Sequence, residues 1–425
     1  MVIKNLKQLA TTALRADALA IAEAGYASID IERVFMRKLK LHGSRLTVQG
    51  HSYDLDAFEN IYIIGVGKGS SRAARGVEKA LGDHIKGGFV IDNATPARLR
   101  TVFAFQGTHP LPSDRNIAAT DEIVKLSHQA TANDLVICII CGGGSALFCR
   151  PGERTCLELQ FIRGAMLKAG ASIHEINTVY KHVSRIHGGH LAQYAYPATV
   201  LTLCVSDVPG DDLDIIASGP TVLDTTTRHD AQRVAKQYGL PAIPFIETPK
   251  NKKYFKSVTN LVIASSDLVV DAMADKAREL GYKPVVYGRN ITDLAKDVGP
   301  DFAKRVRSGE ALLAAGETPV LVSHPGRGGR CQDVSVAAIP CLTEDSVIVA
   351  CASDGRDNEP VAGGIADGET SPQRCAEHQL DPAAAIAMND TYPLLKRLDD
   401  HLYTRVGTAN VADFMVTIRA KEAQA

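Results

Sequence analysis

The residues of this chain best suited to chemistry lie in short glycine-rich or acid-rich segments, each placed directly after an apolar run. Gly65-Val66-Gly67-Lys68-Gly69-Ser70 follows one such run and precedes a helical pattern. Glycines let a backbone approach a ligand closely, and a helix start offers unpaired amides with a partial positive charge, so the place suits an anion. Lys68 adds a full charge there. The loop is not a Walker A loop, because Tyr62 stands where its first glycine is required. A degenerate dinucleotide turn is the alternative, with Ser70 replacing the third glycine and Asp92 placed to hold a ribose. A tight packing turn is the plain one. Cys141-Gly142-Gly143-Gly144-Ser145 repeats the arrangement. Three consecutive glycines cost too much entropy for a bare turn, and Gly143, Gly144 and Ser145 are read as a nest of amides for phosphate or carboxylate.

Lys181, Ser184 and Arg185 recur at helical spacing, which places two cations on one face and favours an anion between them over a merely solvated face. Ser206-Asp207-Val208-Pro209-Gly210-Asp211-Asp212 brings three carboxylates together, as Mg²⁺ binding or a general base requires. Asp207 is preferred because a strand fixes its position; Asp211 and Asp212 equally suit a turn. Ala217-Ser218-Gly219 follows shortly after. Later come Gly316-Glu317-Thr318, a glycine loop Gly326–Gly329 with Arg327 and Arg330, and Ser353-Asp354-Gly355-Arg356-Asp357. Two arginines in a glycine loop suit bidentate phosphate or carboxylate recognition. His109 either shapes its loop or lines a cleft. Cys138 and Cys141 are spaced C-x-x-C but alternate across a strand, and His187 with His190 lacks a third ligand, so no metal role is assigned to either pair.

These segments need a scaffold. At 425 residues the chain exceeds the roughly 250–300 at which one core stops growing, so two domains are expected. With 47 Lys+Arg against 48 Asp+Glu, no basic excess supports nucleic-acid binding. The period alternates between two and 3.6, predicting α/β architecture with mainly parallel strands. Strands are expected at 60–65, 88–92, 134–141 and 198–206, with helices at about 6–13, 70–81, 157–169 and 173–191. A polar, Pro-rich stretch at 225–254 puts the boundary near residue 225, dividing the chain into 1–225 and 226–425. Beyond it, strands are expected at 260–264, 284–287, 319–322 and 346–351, with helices at 266–280 and 294–306. No apolar run approaches the ~18 residues of a membrane span. Nine cysteines, most within apolar runs, read as reduced packed thiols in the cytosol.

GVGKGS (65–70), GTHPLPSDRN (107–116), CGGGSAL (141–147), KHVSRIHGG (181–189), SDVPGDDLDIIASGPT (206–221), GETPV (316–320), GRGGRCQD (326–333), ASDGRDN (352–358) and VGTANVADF (406–414) occur in the order found in the glycerate 2-kinase family, which the chain resembles over nearly its whole length. The resemblance implies a Rossmann-like amino-terminal domain, a smaller MOFRL-type domain containing about 310–417, and an active site in the cleft between them. It implies ATP-dependent phosphorylation of D-glycerate at the 2-hydroxyl, with ATP and Mg²⁺ as cofactors and small molecules as partners. A homo-oligomer is compatible with it. Carried over residue by residue, Lys68 and Arg330 stabilise charge on the transferring phosphoryl group, with Asp207 as base or metal ligand. Gly67, Gly143, Gly144, Ser145, Lys181, Arg185, Ser218, Glu317, Asp354 and Asn410 bind substrate or phosphate, and Asp354 is the rival metal ligand.

Departures from the family pattern stand at Cys331 and Asp333, where the family has Asn and Glu, and along Arg405–Val411. They bear on the acceptor, leaving a related sugar acid open. An NAD(P)-dependent hydroxypyruvate reductase is the competing class, resting on Gly65–Gly69 with Asp92.

Overall fold

The computed structural model describes residues 1–152, 154–405 and 409–421. They form two compact units, one of Ile31–Ile263 and one of Met1–Asp30 with Ala264–Ala425.

The Ile31–Ile263 unit is built on a six-stranded sheet. In chain order its strands are Asn60–Val66, Ile85–Asp92, Val102–Gln106, Asp134–Ile140, Thr199–Val205 and Val258–Ala264. Their spatial order is third, second, first, fourth, fifth, sixth, the doubly wound Rossmann order. The first five pair parallel. Asp134–Ile140 is buried at every position, which explains its unbroken apolar run: a parallel strand covered on both faces has no polar side to show. The helix Ser70–Leu81 buries Ala73, Ala74, Val77 and Leu81. The helix Asp114–Gln129 opens with a Ser113/Asn116 capping box.

Two expectations fail in this unit. The helix expected over 173–191 ends at Lys181 and resumes only at His190–Ala195. Gly188 and Gly189 take φ of 58° and 87° between them, the left-handed region that glycine tolerates. The polar stretch 225–254 is not a connector between domains. It holds the helix Arg228–Gln237, whose Ala231, Val234 and Ala235 pack with Ile176, Val179 and Tyr180. The next apolar segment, 260–264, completes the same sheet as its sixth strand. The break between compact units therefore falls at 263/264 instead of near 225, because polar composition marked a surface and not an end of packing.

The other unit carries a mixed sheet whose strands lie in the order Lys283–Ile291, Glu310–Gly316, Asp413–Arg419, Ser346–Cys351, Gly363–Asp367, His401–Leu402. The first pair is parallel and the rest antiparallel. The expected strand at 319–322 is absent; Glu310–Gly316 (EALLAAG), whose residues favour helix, takes that place. The helix expected at 6–13 is only Leu6–Leu9, followed by Ala13–Ser28.

The first 30 residues join this unit through buried polar anchors. Arg15, 1% exposed, donates to both carboxylate oxygens of Asp400 at 2.8 and 3.1 Å and also pairs with Asp367. The Tyr26 hydroxyl donates to the carbonyl of Ala352 at 2.8 Å, and its ring meets Phe414 edge-on at 4.7 Å.

Cys138, Cys141, Cys204 and Cys351 are free and buried, whereas Cys149 and Cys156 form a disulfide, which the sequence reading did not expect. Among the described residues no helix is long and apolar enough to cross a membrane. Val406, Gly407 and Thr408, part of the departing Arg405–Val411 run, lie outside the described residues.

Candidate active site

In an open doubly wound sheet, ligands bind beyond the carboxyl ends of the strands, where the strand order reverses. Here that point lies between Asn60–Val66 and Asp134–Ile140, whose following loops are the two glycine segments. They interlock: the Lys68 amide donates to the Gly142 carbonyl at 2.9 Å and the Cys141 amide to Val66 at 2.8 Å. A Cβ on Gly67, whose φ is 119°, would stand 2.4 Å from the Cys141 carbonyl oxygen. Glycine at 67 is therefore required by packing of loop on loop.

The first loop is not the amide cradle expected of it. Gly67 donates to Ile91, Lys68 to Gly142, and Ser70 to Gly67. The amides of Gly69 and Ser71 both donate to the Asp92 carboxylate at 3.1 Å, and the Ser71 hydroxyl does so at 2.6 Å. Asp92, 2% exposed, thus neutralises the start of the Ser70–Leu81 helix from within and is not placed to hold a ribose. What this loop offers a ligand is the Lys68 side chain. In the second loop the amides of Gly142, Gly143 and Ser145 donate to no described group, so that nest remains open.

Ser145 and Ser218 are brought together, their hydroxyls 3.0 Å apart, and Ser218 donates to Asn177 Oδ1 at 2.6 Å. Ala217, Ser218 and Gly219 run consecutively at φ of 48°, 57° and 59°. Such a run in non-glycine residues is strained, and strain of this kind collects at functional sites. Gly144 permits it, since a Cβ there would meet that of Ala217 at 2.7 Å.

Lys181 and Arg185 are not brought together. Lys181 is 1% exposed and pairs with Asp214 at 2.5 Å and Asp224 at 3.6 Å. The chain leaves the helix after it, and Arg185 is exposed. The i, i+4 argument fails because the helix it assumed has ended. Asp207 follows the strand Thr199–Val205, as expected, with its side chain half-buried. Among the described residues no three His, Cys, Asp or Glu gather as a metal cage.

Residues the sequence reading left aside complete this region. A Cβ on Gly143 would lie 3.0 Å from His109 Nε2 and 3.5 Å from Lys68 Cγ, so both side chains border the open nest. Burial, with Lys68 and Arg163 adding positive charge, lowers His109 to about 4 and leaves it neutral. Tyr180 donates to the Ser145 carbonyl at 2.9 Å. Asn177, Tyr180 and Arg163 sit within ordinary helical patterns and carried no signal of their own.

In the mixed-sheet unit Arg330 opens the helix Arg330–Ala338. It pairs with Asp413 at 2.8 Å and Glu317 at 3.2 Å; burial opposes its charge, but these carboxylates outweigh it and keep it protonated. Asp357 accepts from the amides of Cys331 and Gln332 at 3.2 and 2.9 Å, capping this helix as Asp92 caps the other. Burial raises Asp413 to about 7, Arg330 opposing and Asp357, Glu317 and Asp354 reinforcing. Arg330, Asp333 and Asp357 line a cavity of about 480 Å³. Of the two departures, Cys331 faces the core and Asp333 faces this cavity. Asp354 accepts from the Arg356 amide at 3.0 Å, and Asn410 is half-buried.

Comparison with known proteins places the chain in context. Residues 17–246 match the family model described as a domain of unknown function, DUF4147, and residues 310–413 match the MOFRL family. A protein of Pyrococcus horikoshii named glycerate 2-kinase is 32% identical over 416 residues, 92% of this chain and 93% of the relative. A protein of Agrobacterium vitis named, provisionally, as a hydroxypyruvate reductase is 34% identical over 83% of this chain and 97% of its own. The crystal structure of a glycerate kinase from Thermotoga maritima superimposes with a TM-score of 0.85 at 29% identity, covering 98% of this chain and all of that one.

Proposed function

The chain belongs to the glycerate 2-kinase family, and from that membership we propose that it transfers the γ-phosphoryl group of ATP to the 2-hydroxyl of D-glycerate, releasing 2-phosphoglycerate and ADP. The observation that carries the proposal is the pairing of Lys68 with the open Gly142–Ser145 nest at the switch point of the parallel sheet. Phosphoryl transfer asks the protein mainly to position reactants and to stabilise negative charge as it spreads over the phosphoryl oxygens. Lys68 supplies fixed positive charge, the amides of Gly142, Gly143 and Ser145 supply donors, and the Ser145–Ser218–Asn177 chain holds that loop in place. Arg330, held by Asp413 and Glu317, is the second charge-stabilising group.

Mg²⁺ takes one or two protein carboxylates and completes its shell with phosphate oxygens and water, and bound here it would neutralise the phosphates. Asp207 and Asp354 are the carboxylates we assign to the ion or to the acceptor hydroxyl. The loss of the Lys181–Arg185 pair removes both from the phosphate-binding set, Lys181 serving instead to tie down Asp214 and Asp224. We place the reaction in the cytosol, which supplies ATP.

The reductase reading loses its anchor, because Asp92 is consumed by the amides of its own loop. The test is direct. Purified protein is given ATP, Mg²⁺ and D-glycerate in one arm and hydroxypyruvate with NADH in the other. ADP formation with 2-phosphoglycerate as product supports the proposal; NADH oxidation without ADP formation defeats it.

A further inference from the structure

A hydroxy acid brings two groups that need recognition, the hydroxyl that is phosphorylated and a carboxylate that must be held still. Among the cations of the parallel-sheet unit that the site has not used, Arg163 is half-buried. Arg163 lies on the helix Cys156–Lys168, whose Leu159, Ile162 and Met166 pack against Ile176, Val179 and Tyr180 of the helix Ile173–Lys181. Standing one turn from Leu159 and from Met166, Arg163 flanks that packed face. It is half-buried and forms no hydrogen bond or ion pair with any described residue. By contrast, Arg150, Arg233, Arg278 and Arg289 reach carboxylates.

Its surroundings are donors and cations. Tyr180, against whose helix the Arg163 helix packs, is hydrogen-bonded to the Ser145 carbonyl and so underlies the open nest. The ring of His187, wholly buried, lies 5.1 Å from that of Tyr180; its Nδ1 meets the Ser184 hydroxyl at 2.8 Å while its Nε2 has no partner. His109 borders Gly143 from the other side. The positive charge of Arg163 is felt at His109, Tyr180 and His187 alike. A half-buried guanidinium with no anionic partner among the described residues, near neutral imidazoles and near the tyrosine that underlies an unfilled nest of amides, is a site lacking its negative partner.

We propose that Arg163 binds the carboxylate of the acceptor acid, as a specificity-determining residue distinct from Lys68, which acts on the phosphoryl group. The planar guanidinium fork matches a planar carboxylate through two parallel hydrogen bonds. The inference rests on the reading of the Lys68–Gly142–Ser145 region as the substrate site.

The test compares the parent protein with Arg163→Met and Arg163→Lys, reading KM for D-glycerate, KM for ATP, kcat, and calorimetric binding of D-glycerate. A hydrogen-bonded charge contact contributes about 1.5–3 kcal/mol, so Arg163→Met should raise KM and Kd for D-glycerate roughly 10- to 150-fold. KM for ATP should stay within about threefold and thermal melting should be unchanged. Arg163→Lys, which keeps the charge but not the fork, should recover part of the loss. An unchanged glycerate KM in a folded Arg163→Met overturns the proposal. A rise in KM for ATP alone overturns it too, assigning Arg163 to nucleotide phosphates. If the parent binds D-glycerate through Arg163 but makes no ADP, the kinase reading fails and this subsite stands; if the parent binds neither D-glycerate nor another 2-hydroxy acid, both fall.

Discussion

Replacing Asp92 by Asn separates a structural role from a cofactor-binding one at a position where the sequence favoured the latter. In the parent the carboxylate accepts from the amides of Gly69 and Ser71 and from the Ser71 hydroxyl, with a longer contact of 3.3 Å from Ala94. Every partner is a donor, and Asn has only one accepting atom. With Oδ1 turned to Ser71, the amide group of Asn faces the Gly69 N–H; turned the other way, it faces both Ser71 donors. Either orientation strands at least one buried N–H and removes the negative charge from the start of the Ser70–Leu81 helix. A stranded buried donor costs about 1–3 kcal/mol and the lost helix-start charge about 0.3–1 kcal/mol more, so about 1.3–4 kcal/mol in all is expected. For a unit of this size that lowers the melting temperature by roughly 3–16 °C. Because the same amides fix the backbone directly after Lys68, kcat should fall as well. Differential scanning fluorimetry and an ADP-release assay on one preparation measure both. A melting temperature within about 2 °C of the parent, together with altered affinity for a nicotinamide cofactor, would show that the carboxylate serves a ligand and that the structural assignment is wrong.

Lys68→Ala should cut kcat by about 10²–10³ with the melting temperature preserved, as expected for loss of one preorganised charge contact in a transition state; near-parental ADP release would remove Lys68 from the machinery. Arg15→Ala leaves Asp367 buried without its cation and Asp400 with Arg374 alone, and should cost about 3–5 kcal/mol, read as earlier unfolding in urea, whereas an unshifted midpoint would mean that the amino-terminal helix docks without this anchor. Asp413 titrates from an ordinary 3.8 up to about 7, so the folded chain holds a proton that the unfolded chain has released. Its stabilising contribution is complete below pH 3.8 and is lost as pH rises through 7. Asp413→Asn removes that loss, so the variant should gain more melting temperature relative to the parent at pH 8 than at pH 5; equal differences at both pH values would refute the assignment.

Much of the scaffold was legible because its signals are local. Buried parallel strands advertise themselves as unbroken apolar runs, as at Asp134–Ile140, and the helix Ser70–Leu81 lies where its periodicity and its flanking Gly69 and Gly82 put it. The loops that meet at the switch point were likewise recognisable, since glycine directly after such a strand has few other uses. Less visible was whether a given side chain faces a ligand or its own protein. Lys181 and Arg185 share a spacing, but one turn of chain separates a cation buried on two aspartates from one in solvent.

By itself, then, the sequence determined the alternation of strand and helix, the two glycine loops, and the family, all of which depend on neighbours along the chain. Tertiary structure alone decided three things. Asp92 and Asp357 spend their charge on the helix starts beside them. The first 30 residues pack with the carboxyl-terminal sheet through Arg15 and Tyr26, partners more than 300 positions away. Arg163, unremarkable on its helix, has no anionic partner among the described residues and acts on Tyr180 and His109. Hydrogen-bond donors and charges must find partners or pay for desolvation, and which partner is nearest depends on distances in space that the order of residues does not record.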